Sequence, residues 1–125
     1  MVTTEVAQLS RECNAWRESL RSHRDELGQI KQQLQKIAGT QTLKEDLLQL
    51  EHLDNQLHIQ LINIHDLKQT IKQHDRKIQN EMQTRNGKVG DETMAEHENI
   101  FDSYQSLEHT LQNIKTEFNL FSLRS

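Results

Sequence analysis

Proline is missing from all 125 residues, and glycine occurs only 4 times. Proline fixes its own backbone, donates no hydrogen bond and punctuates loops and strand edges in most mixed folds, so a chain without it offers no resistance to long helices. Cysteine is limited to Cys13, which excludes an internal disulfide and fits a reducing compartment. Neither sign of charge dominates: the formal charge is -4 and the pI about 5.9, and the Lys and Arg residues are scattered. That leaves no basic stripe to track phosphates, which argues against nucleic acid as a partner. No apolar run approaches the roughly 20 residues needed to span a bilayer, and the opening MVTTEVAQLSREC has neither a basic nor an apolar targeting region. The expectation is a cytoplasmic chain with no membrane partner.

Apolar residues make up 33% of the chain and charged residues 27%, with a mean hydropathy of -0.88. Such a composition is poor for a thick globular core but sufficient for amphipathic helices, each of which needs one apolar stripe. The first third supplies such a stripe. Alternating strides of four and three pass through Val2, Val6, Leu9, Cys13, Trp16, Leu20, His23, Leu27, Ile30, Leu34 and Ile37, a heptad pattern in which only His23 is polar. It stops at Ala38-Gly39-Thr40, where glycine suits a helix cap. Thr42 and Glu45 then have capping-box spacing for a second helix, whose apolar residues are Leu43, Leu47, Leu50, Leu53, Leu57, Leu61, Ile64, Leu67, Ile71, Ile78 and Met82. This second stripe drifts sideways, because a strict heptad is taken to place Asp54, Lys68 and Asp75 in the seam. Residues 85–92, with an Asn-Gly pair and a second glycine, read as the longest loop. A capping box at Thr93 and Glu96 starts a third helix carrying His97, Ile100, Tyr104, Leu107, Leu111, Ile114, Phe118 and Phe121 in register.

These segments predict one all-α domain over 1–125: helix 1 about 3–38, helix 2 about 43–84, loop 85–92 and helix 3 about 94–121. Short connections make neighbouring helices antiparallel, so the expected architecture is an elongated up-down-up three-helix bundle with coiled-coil-like heptad packing. Folding the chain about its turns places Trp16 level with Ile64 and Ile114, and Cys13 level with Leu67 and Leu111. On that count the third helix ends near Leu20, His23 and Leu57, and helices 1 and 2 extend beyond it as a hairpin. The apolar tail from Phe118 to Leu123 is expected to wrap onto the bundle or onto a partner.

Motifs for catalysis are lacking: there is no glycine-rich phosphate loop, no GxSxG, no CxxC and no acidic pair in an apolar frame. The chain reads as non-enzymatic. Cys13, within the core stripe, reads as a small buried hydrophobe rather than a reactive thiol, and Trp16 as a core anchor. The richest polar stretch, HLDNQLHIQLINIHDLKQ over 52–69, poses a metal question. Two ligands on one helix need spacings of three or four, and no two of His23, His52, His58, His65, His74, His97 and His109 have them. Asp54 and His58 are four apart, enough for a solvated pair or for half of a site completed by dimerisation. No catalytic, cofactor-binding or metal-ligating residue is assigned, and no cofactor is expected. In the seam, His23 and His97 read as devices that fix register, with a mild response to pH.

What remains is surface. The hairpin tip presents Leu27, Ile30, Leu34, Leu43, Leu47 and Leu50, while Leu48, Ile59 and Ile62 face away from the bundle axis on helix 2. Either these last three are scattered surface aliphatics, which are common, or helix 2 is covered on its back. The functional expectation is a helical interaction or scaffold protein that forms a homodimer or binds a partner helix through these residues. The alternative is a chaperone-like or regulatory bundle whose hairpin groove holds a client's amphipathic helix.

Overall fold

The computed structural model describes residues 3–40, 43–84 and 88–124. It consists of three helices, α1 (Thr3–Ala38), α2 (Lys44–Thr84) and α3 (Asp91–Arg124), and is the expected antiparallel three-helix bundle. None of the described helices is long and apolar enough to cross a membrane. Val2 and Thr42, assigned to the first stripe and to the second helix cap, lie outside the described residues.

Strides of four and three generate the buried face of each helix. In α1 they run from Val6 through Cys13, Trp16, Leu20 and Leu27 to Leu34, all buried. In α2 the buried residues are Leu53, Leu57, Gln60, Ile64, Ile71, His74, Ile78 and Glu81, with Leu67 partly buried in the same register. The seam of α2 is therefore a strict heptad and does not drift. Its polar members are Gln60, His74 and Glu81, while Met82 is 38% exposed and Leu61 sits half-buried on the flank. Asp54, Lys68 and Asp75 border the seam as half-buried residues. In α3 the same strides bury Thr93, His97, Ile100, Tyr104, Leu111, Ile114, Phe118 and Phe121.

Histidine–carboxylate contacts between helices mark the axial register. His74 meets Glu96 at 2.8 Å near one end of the α2–α3 pair, and His52 meets Glu117 at 3.4 Å towards the other. The layers expected from folding about the turns are replaced by others. Cys13 shares its level with His74 and His97, and the Trp16 ring stacks with Phe101 and Tyr104 at centroid distances of 5.9 Å. Ile114 lies 10 residues beyond Tyr104, about 15 Å further along α3. A heptad stripe superposes on itself after a shift of seven residues, so its period carries no information about register.

The reach of α3 follows from this register. With Phe118 and Phe121 buried, Leu27, Leu34 and Leu53 are enclosed, and the hairpin beyond α3 is confined to the tip around Leu43 and Leu47. The tail continues as helix, with its Leu120 and Leu123 exposed.

The start of α3 also differs from expectation. The helix begins at Asp91, so Thr93 lies inside its first turn. The cap comes from α2: the Gly90 N–H donates to Glu81 Oε1 at 2.7 Å, and the Thr93 hydroxyl donates to Glu81 Oε2. One carboxylate thus satisfies a helix-terminal donor and places negative charge at the positive end of the α3 dipole.

Candidate functional site

Each seam contributes a polar residue to one layer of the bundle. Cys13 from α1, His74 from α2 and His97 from α3 are all buried, and one ligand-capable atom from each lies within 4.8 Å of the others. The side chains come from three separate helices, so no spacing within one helix could reveal them.

A continuous polar chain runs through this layer. His74 Nε2 and His97 Nδ1 face one another at 2.9 Å. On the outer side, His74 Nδ1 meets Glu96 Oε1 at 2.8 Å and His97 Nε2 meets Glu12 Oε1 at 2.7 Å. Lys77 Nζ donates to Glu96 Oε2 at 3.3 Å. The Trp16 ring covers His97 at a centroid distance of 4.7 Å. A carboxylate accepts, so each outer imidazole nitrogen carries a proton in its neutral ring and each inner nitrogen presents a lone pair. Two lone pairs 2.9 Å apart repel unless a positive centre lies between them.

Burial acts against a second proton on His74. Burial lowers the pKa of His74 below its ordinary value, and Glu96 offsets only part of this. Burial, reinforced by the Asp75 carboxylate, pushes the Cys13 thiol up to about 12, so the free sulfur stays protonated and unreactive at neutral pH. Cys13 is a buried side chain, as its position in the stripe implied. His74 and His97 together with Cys13 could hold a cation, with Glu12 and Glu96 orienting the rings from behind.

His23 occupies another layer and is fully engaged. It accepts from Lys115 Nζ at Nδ1 over 2.9 Å and donates from Nε2 to Glu108 at 3.3 Å, while Lys115 also reaches Glu26 at 2.9 Å. His58 is exposed and lies 16 residues from His74, about 24 Å along α2, so the Asp54–His58 pair has no part in the Cys13 layer.

The surface residues divide. Leu27 and Leu34 belong to the core, and Ile30 and Leu50 are partly buried against it. Leu43, Leu47, Leu48, Ile59 and Ile62 are exposed. On α2, Leu48 and Ile62 share one outward heptad position and Ile59 the neighbouring one, opposite the buried seam.

Sequence reasoning missed His74. The signal was available: continuing the α2 strides of four and three from Leu53 and Leu57 places His74 in the seam. Comparison with known protein families, with curated proteins and with solved structures finds no match.

Proposed function

We propose that the chain is a non-enzymatic helical interaction module and that its partner is a second copy of itself, docked through the outer face of α2. The observation carrying this reading is the exposure of Leu48, Ile59 and Ile62 at 57%, 45% and 47% on one stripe, while the bundle's own core is complete without them. Apolar residues grouped on a face that the fold does not use suit an interface.

The stripe is also compatible with its own reversal. An antiparallel copy that sets Ile59 against the second copy's Ile62 sets Glu45 against its Arg76, because both pairs straddle the same midpoint of α2. Glu45 and Arg76 are both exposed, and a two-fold axis produces each contact twice. The client-helix alternative has less support, since Leu27 and Leu34 are enclosed within the bundle and only Leu43 and Leu47 of the tip are exposed.

Light scattering on a sizing column over a hundredfold concentration range tests the proposal. The wild-type chain is expected at twice the chain mass. The Ile59→Glu, Ile62→Glu double variant is expected at the chain mass with an unchanged helical circular dichroism spectrum, as both residues lie outside the core. A wild-type monomer throughout, or a variant that stays dimeric, would falsify the interface.

A further inference from the structure

We propose that Cys13 Sγ, His74 Nε2 and His97 Nδ1 form a binding site for one borderline-soft divalent metal ion of the zinc class, linking all three helices in a single layer. This site is independent of the α2 surface.

Three observations converge. The first is the donor set: one sulfur and two imidazole nitrogens, buried and within 4.8 Å of one another. Thiolate and imidazole favour zinc, whereas magnesium and calcium require oxygen. The second is orientation. The outer nitrogen of each imidazole faces a carboxylate, Glu96 for His74 at 2.8 Å and Glu12 for His97 at 2.7 Å. A carboxylate behind a histidine fixes its tautomer, aims the other nitrogen's lone pair and raises its basicity towards a metal. The third is that the two aimed lone pairs converge on one point, their nitrogens 2.9 Å apart.

Binding requires the donors to adjust around the ion. At zinc–nitrogen distances of about 2.0–2.1 Å, two tetrahedral nitrogens stand roughly 3.3 Å apart, so the rings separate by about 0.4 Å while the sulfur closes to about 2.3 Å from the ion. On binding, the Cys13 S–H bond breaks, a sulfur–metal bond forms and the proton leaves to solvent. The bound ion and thiolate together carry one positive charge, facing the Glu12 and Glu96 carboxylates. Three protein ligands leave a fourth position for water. A cleft of about 330 Å³, lined by Leu9, Glu12, Trp16, Met94, His97 and Phe101, opens on His97 and provides a route in.

Cobalt(II), a spectroscopic substitute for zinc, tests the site on full-length protein lacking a histidine tag and stripped with a chelator. The expected result is a sulfur-to-cobalt charge-transfer absorption that saturates at one cobalt per chain, is bleached by zinc and is unaffected by excess magnesium. Zinc should also raise the Tm. Cys13→Ser, nearly isosteric, should fold by circular dichroism and lose the charge-transfer band. Glu96→Gln should keep the band with affinity weakened about 10- to 100-fold. Folded wild-type protein without the band, or a band that survives Cys13→Ser, overturns the proposal. A ring pair bridged by a proton alone gives neither the band nor a zinc-dependent Tm.

Discussion

Burial and hydrogen bonding oppose one another at the ionisable residues of the Cys13 layer. For His74 burial wins, leaving its pKa below the ordinary 6.5 despite Glu96. For Glu96 burial raises the pKa, but hydrogen bonds from His74 and Lys77 outweigh it and bring the carboxyl below the ordinary 4.5. Both shifts have the same sign for stability. A native pKa below the unfolded one means that the unfolded chain binds protons more readily, so stability is lost as pH decreases across that interval. For His74 the loss begins as pH falls below about 6.5 and is complete below the native pKa; for Glu96 it begins below about 4.5. The facing groups are His97 and Glu12 across the layer and Lys77 on the same helix. With chelator present, the urea midpoint is expected to be lower at pH 5 than at pH 7.5, and the His74 ring to titrate below 6.5 by NMR. A His74 midpoint above 6.5 would show that the ring pair holds a shared proton more tightly than burial expels it. Cys13 acts at the other end of the scale: its native pKa of about 12 lies above the ordinary 9.0, so the stability it confers is lost as pH rises through that interval.

Among the elements, α1 contains a residue that serves neither packing nor a turn. Gly28 lies in the helix interior between Leu27 and Gln29, and a Cβ placed on it meets nothing within 4 Å. Glycine in a helix interior costs roughly 0.5–1 kcal/mol relative to alanine through backbone entropy. Gly28→Ala is therefore expected to stabilise the chain by about that amount, seen as a higher urea midpoint with unchanged slope. A lower midpoint would mean that a neighbour occupies the space. The helices were legible because leucine, isoleucine and valine mark most seam positions at strides of four and three. The α2 seam was misread for a physical reason: Gln60, His74 and Glu81 are polar but have partners, Gln60 from Asn63 at 3.0 Å, His74 from α3 and Glu81 at the α3 terminus. A search confined to aliphatic residues steps sideways to Leu61 and Met82. The α3 cap was illegible for a related reason, since it comes from a residue 9 positions earlier on another helix.

For the molecule as a whole, the period of a stripe fixes which face is buried but not how far one helix slides along another. A slip of one heptad is about 10.5 Å and keeps seam positions facing seam positions. Placing Cys13, His74 and His97 in one layer depends on that unreadable register, set by pairs such as Arg17 with Asp75 at 3.4 Å and His52 with Glu117. The same symmetry of spacing makes self-association through α2 a question of charge as well as apolar area. The stripe holds only three aliphatic residues, so in the proposed dimer the selection of the antiparallel orientation would fall to the polar residues beyond them. In that orientation Glu45 faces the second copy's Arg76 and, by the two-fold axis, Arg76 faces the second copy's Glu45. Exposed pairs contribute roughly 0.2–1 kcal/mol each, so losing two should weaken the dimer about twofold to thirtyfold. Glu45→Arg and Arg76→Glu are each expected to raise the dissociation constant, further at low salt, where like charges then meet. Combining them restores opposite charges at both contacts and should return the constant to within a few-fold of wild type. Additive weakening in the combined variant would exclude the antiparallel pairing while leaving the Ile59 and Ile62 stripe free to pack in parallel, where Glu45 and Arg76 never meet.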